Sequence, residues 1–163
     1  MAMSTDVEAA VSPPQPATPP EPLRLLAMDV EDLQFVSAAL QDAILRPVDI
    51  VWERSARQLT LTLSRFCWEC GGTRVMAAMQ FGDVTAVKSR QLPRGPEQAL
   101  ELLALHFEPS EAPSGQVYLM FAGGGDLRID VECLDVVLAD LSDRWPAREK
   151  PSHPELDEGS ETE

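Results

Sequence analysis

The sequence lacks several things, and each absence removes a class of protein. No apolar run comes near the roughly 20 residues that cross a bilayer as a helix, so no membrane span is encoded. Basic residues are few: 13 Lys and Arg stand against 27 Asp and Glu, for a formal net charge of -14. Nucleic acid and anionic membranes are held by a basic face, so neither is an expected partner. Histidine occurs only twice and cysteine three times. H-E-x-x-H and an ordered Ser/His/Asp set are both missing, so no catalytic residue is named and no cofactor is implied. No internal repeat with a period of roughly 20–50 residues occurs, which excludes solenoids and propellers.

What is present divides the 163 residues into three parts. Residues 1–22 hold six of the 14 prolines, at 13, 14, 16, 19, 20 and 22, and almost no bulky apolar side chain. Such a stretch cannot offset its own ordering entropy and reads as a disordered tail. It has neither a basic start nor an apolar h-region, so a cytoplasmic location is expected. Residues 146–163 carry six acids, two bases, three prolines and no aromatic residue, and read as a second, acidic, disordered tail. Residues 23–145 remain as one domain. They hold 18 acids and 11 bases, so the domain is acidic in its own right.

Within the domain, Leu23 to Met28 reads as a short strand. Asp29 then caps a helix with Glu31 and Asp32 in its first turn. Leu33, Val36, Leu40 and Ile44 follow at helical spacing, and Arg46-Pro47 ends the run. Beyond Pro47 the period changes to two. Val48–Glu53, Gln58–Trp68, Thr73–Phe81 and Val84–Arg90 read as strands, the last two being one bent strand or two. Ala99–Glu108 has helical composition but alternates, and Leu102–Phe107 is assigned to a strand. Val117–Phe121, the turn Gly123-Gly124-Gly125 and Leu127–Cys133 form a hairpin. The expectation is an α+β fold: one N-terminal amphipathic helix on a mostly antiparallel, barrel-like or split-sandwich sheet of about seven strands.

Cys67-x-x-Cys70 has the spacing of half a zinc site, and Cys133 and His106 are the candidates to complete it. Unpaired cytosolic thiols are the favoured reading for the pair. Cys133 keeps the phase of Leu127, Ile129 and Val131, which places it in the core. His106 alternates with apolar neighbours and faces solvent. The glycine run lacks the helix or lysine that a phosphate loop needs, so it is a turn. Lys88, Arg90 and Arg94 are the densest basic group and read as a solvated strand end. Asp126, Asp130 and Glu132 line up on one exposed face.

Leu25 to Leu33, Ser37 to Ala43, Leu63 to Glu69, Phe107 to Gly115, Phe121 to Gly125 and Val131 to Cys133 resemble the domain-of-unknown-function family 2948 of alphaproteobacteria. The resemblance spans nearly all of 23–145. It implies no established activity, so no site residue is carried over. It also implies that the position of Cys67, between Phe66 and Trp68-Glu69, varies among relatives.

The function expected is a small non-catalytic protein-binding or adaptor domain. Arg65, Trp68, Glu69, Glu108 and Glu111 are its candidate binding residues, with a protein partner or a homodimer as occupant. A small-metabolite-binding barrel is the alternative. An enzyme using the carboxylates Asp29, Asp32 or Asp42 comes third.

Overall fold

Strict alternation builds most of the sheet. The computed structural model describes residues 22–67 and 71–141 and the backbone of 145–146. Strand β1 (Arg24–Ala27) leads into helix α1 (Val30–Ala39), the two-residue strand β2 (Ile44–Leu45) and β3 (Ile50–Glu53). Then come β4 (Gln58–Cys67), β5 (Thr73–Phe81), β6 (Val84–Arg90) and β7 (Leu100–Pro109). The hairpin β8 (Gly115–Phe121) and β9 (Asp126–Val131), then β10 (Val136–Asp140) and β11 (Trp145–Pro146), complete the described chain. Along β4 every second residue is buried, from Leu59 to Cys67, and β9 repeats the pattern with Leu127, Ile129 and Val131. That is the period of a sheet with one face dry.

The eleven strands form one sheet with the path β1-β10-β5-β4-β2-β7-β8-β9-β6; β3 pairs with β4 and β11 with β5. Every pairing is antiparallel. The path has two ends and is not closed into a barrel. It folds over as two half-sheets, β1-β10-β5-β4-β3 and β7-β8-β9-β6, joined through the short β2. The chain crosses between them twice at one corner. Gly82 N–H donates to the Asp135 carbonyl (2.9 Å) and Glu132 N–H to the Asp83 carbonyl (3.0 Å). The bend falls at Gly82, where an added Cβ would lie 2.8 Å from the Asp135 carboxylate. One apolar cluster fills the space between the halves, with Leu59, Leu61, Phe81, Leu119 and Ile129 at its centre.

Four expectations are corrected. The strand count rises from about seven to eleven: the opening strand β1 adds one, and β2, β10 and β11 carry no alternation long enough to read. The helix is not the first element, since β1 precedes it, and it stops at Ala39. Asp42 N–H donates to the Leu102 carbonyl (2.9 Å) and Leu102 N–H to the Ala43 carbonyl (2.8 Å), so this stretch joins the sheet instead of extending the helix. Val48 and Asp49 sit in a 3-10 turn, not a strand. There the Asp49 carboxylate accepts from the Arg46 N–H (3.0 Å) and from its guanidinium. Cys133 lies past the end of β9, where the chain turns to Asp83, and is half-buried.

Helix α1 is capped as the sequence anticipates. The Asp29 carboxylate accepts from Asp32 N–H (2.8 Å), and Asp32 reaches back to Met28 N–H (3.4 Å). Leu33 and Val36 bury against the core, and the helix packs on β1 and β7. Among the described residues, the helix packs against neither outer face of the sheet. No helix among the described residues is long and apolar enough to cross a membrane.

Candidate functional surfaces

The residues named from the sequence do not gather at one place. Arg65 keeps the inward phase of Leu59, Leu61 and Leu63 and is buried. Its guanidinium donates twice to Asp140 on β10, at 2.9 and 3.1 Å, and the two side chains are 2% and 3% exposed. Asp140 also accepts from Leu23 N–H (2.8 Å). The pair thus fastens the start of β1 to β4 and β10. Glu108 and Glu111 are exposed at the far end of the β7–β8 hairpin, with Glu108 3.7 Å from His106. His106 faces solvent, as expected. Trp68, Glu69 and Cys70, the two tails and the side chain of Trp145 lie outside the described residues.

The cysteines are likewise apart. Cys67 is buried and disulfide-bonded, which corrects its reading as an unpaired thiol. Cys133 is free; its thiol lies 3.3 Å from the Asp83 carboxylate. That hydrogen bond, burial and the nearby carboxylates push the thiol's pKa up, so it resists forming the thiolate. Cys67 pairs with Thr73 at one end of β5, while the Asp83 corner follows Phe81 at the other. At strand rise the separation is about 26 Å, too far for one metal ion. Among the described residues, no group of three or more His, Cys, Asp or Glu could hold a metal.

Of the three helix-region carboxylates, Asp29 and Asp32 serve the cap, and Asp42 stands elsewhere. Asp42 adopts a left-handed backbone (φ 70°) and meets Glu101 across β2, whose Ile44 pairs with Glu101. The shared hydrogen bond with Asp42, partial burial and the like charge hold the Glu101 carboxyl above its usual range, and Arg74 opposes this. Arg74 donates to the Ser64 carbonyl (2.9 Å) and hydroxyl (3.1 Å) and lies over the Phe66 ring, 5.6 Å from its centre. Sequence reasoning missed this cluster because 59 positions separate Asp42 from Glu101 and the joining strand has two residues.

The two outer faces form the surfaces of interest. On the first half-sheet, cross-strand pairing sets Leu26, Val137, Gln80, Thr60 and Val51 in one row. Below it run Ala139, Ala78 and Thr62, then Met76, Ser64 and Ile44. None of these eleven side chains is charged. Leu26 is 57% and Val51 50% exposed. Among the described residues, charges stand at the rim, on Arg24, Glu53, Arg74 and Glu101.

The second half-sheet presents the reverse. Its rows are Glu108-Gln116-Asp130-Ala86, His106-Tyr118-Arg128-Lys88 and Ala104-Met120-Asp126-Arg90. Arg128 donates to Asp130 (2.9 Å) and Arg90 to Asp126 (2.6 Å). A depression of about 420 Å³ opens here, and a cleft of about 580 Å³ is lined by Gln91, Leu92, Pro93 and the glycine turn.

A family model matches residues 23–153. No curated protein and no solved structure matches the chain.

Proposed function

The chain belongs to the DUF2948 family, described as protein of unknown function, and on that premise we propose that it is a non-catalytic protein-docking module. The observation that carries the reading is the uncharged outer face of the first half-sheet in a chain of net charge -14. An acidic domain gains solubility from charge on every surface it leaves wet. A five-strand face whose described residues carry no charge inside its rim suits a docking surface, because burying an unpaired charge costs far more than burying threonine, alanine or valine.

The occupant we infer is a second copy of the chain. Two copies meeting through an acidic face would set acid against acid, whereas the described rows of this face bring none to the contact. The eleven uncharged positions, about 4.8 Å by 6.8 Å each, cover about 360 Å² per copy, so two copies would bury on the order of 700 Å² through them and reach the roughly 1,000 Å² of a specific interface only with the rim included. The candidate residues Glu108 and Glu111 lie off this face and would belong to a further partner's contact.

The test is sedimentation equilibrium on the full chain and on Ala78→Arg, whose long side chain would stand at the centre of the face. A dimer that the substitution dissociates, with unchanged circular dichroism, supports the reading. A chain that is monomeric across the micromolar range, or a dimer indifferent to Ala78→Arg, overturns it. A monomer whose face stays shielded from hydroxyl-radical labelling would give the face to the chain's own terminal segments instead.

A further inference from the structure

We infer that the outer face of the second half-sheet holds a binding site for a small phosphomonoester with an apolar body. The depression of about 420 Å³ is lined by Lys88, Ser89, Arg90, Tyr118, Asp126 and Arg128. Three of these six are cations and one is a carboxylate, a local surplus of positive charge in a molecule of net charge -14. Register explains the convergence: Lys88 pairs with Arg128, and Arg90 with Asp126, across neighbouring strands.

The cations differ in how far they are committed. Arg90 gives one terminal nitrogen to Asp126, and Arg128 gives its Nε and one terminal nitrogen to Asp130. A guanidinium has five N–H groups, so each keeps donors to spare. Lys88 makes no ion pair among the described residues. The carboxylates therefore aim the two guanidinium groups without using them up, and the lysine adds a point charge. Guanidinium forks and an ammonium group are the donors that suit the oxygens of a phosphate dianion. Ser89 adds a hydroxyl, and the Tyr118 hydroxyl is held by Gln116 (3.3 Å).

The apolar body follows from the cleft of about 580 Å³, where the half-buried Leu92 and Pro93 supply apolar wall. The two linings share no residue but are consecutive along the chain, Arg90 lining one and Gln91 the other, and likewise Asp126 and Gly125. A ligand with its phosphate over Lys88 and Arg128 would extend its remaining atoms toward Leu92. Inorganic phosphate would satisfy only the first hollow. This site lies on the half-sheet opposite to the docking face and stands or falls independently of it.

The experiment is a ¹H–¹⁵N titration of the full chain with phenyl phosphate and, separately, with inorganic phosphate, both at constant ionic strength. Saturable shifts should appear at the amides of Lys88, Ser89, Arg90, Tyr118 and Arg128. Phenyl phosphate should bind several-fold more tightly than inorganic phosphate. Lys88→Gln should weaken binding about tenfold, the loss of one charge-assisted contact, and should leave the remaining spectrum in place. Shifts that never saturate, or saturable binding that Lys88→Gln leaves intact, overturn the site. Equal affinity for the two probes overturns the apolar body.

Discussion

The two half-sheets share a core, a pairing rule and nearly a strand count, and they treat charge in opposite ways. The first keeps its ion pair inside, Arg65 with Asp140, and the described residues of its outer face carry charge at the rim alone. The second keeps its interior apolar and wears its charges outside, as Arg90 with Asp126 and Arg128 with Asp130. Alternation alone produces both arrangements, since shifting a charged residue by one position in a strand moves it from one face to the other. The difference teaches that an acidic composition is not an acidic surface. Where the charge has been removed from the surface is as informative as where it has been placed.

The largest effect should come from breaking the buried pair. Removing one partner leaves the other charge uncompensated in the core, at a cost of roughly 3–5 kcal/mol. Arg65→Met should therefore lower the urea midpoint severely or prevent folding. Asp140→Asn, which keeps an acceptor for Leu23 N–H, should lose less. The double variant Arg65→Met with Asp140→Leu should recover more than half of the single loss, because two apolar groups can replace a buried pair at little net cost. A double variant as unstable as Arg65→Met alone would show that the pair is irreplaceable and not merely costly to break. The same truncation at Arg128 on the charged face should leave the midpoint nearly unmoved, since an exposed pair trades one set of water contacts for another.

A smaller effect on stability, with a larger one on association, should follow from writing charge onto the bare face. Thr62→Lys is half-buried on the outer side of β4, so it should change stability by no more than about 0.5 kcal/mol. It should nevertheless disperse dimers in size-exclusion chromatography with light scattering. Lys88→Ala, on the other face, should leave the elution mass as it is. If both variants or neither shifts the mass, the division of labour between the faces is wrong.

How much of this was readable beforehand depends on sequence separation. The β4–β5 and β8–β9 hairpins carry long alternation and short turns, and the glycines of the second turn adopt φ of 95° and 99° at Gly123 and Gly124. Strand β7 also emerged from alternation against a helical composition. Even the burial of Arg65 had a signal, because it keeps the phase of Leu59, Leu61 and Leu63. Its partner did not, being 75 positions away on a strand too short to declare itself. The end of α1 failed for a different reason. Leu40, Ala43 and Ile44 fit a helical stripe, and only the hydrogen bonds to Leu102 reveal that the chain has already entered the sheet.

The smallest expected effect concerns pH, and it pits two carboxyls against each other. Glu101 has its folded pKa raised, first by its hydrogen bond to Asp42, then by burial and by the like charge. The folded state then binds more protons than the unfolded one in the window between the ordinary glutamate value and the raised value. Stability falls as pH rises through that window, and Glu101 is a slight liability at neutral pH. Asp49 behaves the other way. Its folded pKa is lowered, first by the Arg46 side chain, so its contribution is present above the ordinary aspartate value and is lost as pH falls through the lowered one. Glu101→Gln should flatten the stability profile just above the usual carboxylate range and raise the melting temperature slightly at pH 7. Asp49→Asn should lower the melting temperature at pH 7 and should remove the loss of stability that the parent suffers as pH falls below that range. Glu101 is exposed and Asp49 partly so, so salt will blunt each slope. The two variants are distinguished by sign, and a Glu101→Gln chain less stable than its parent at neutral pH would mean that the Asp42 contact fastens the β2 seam rather than straining it.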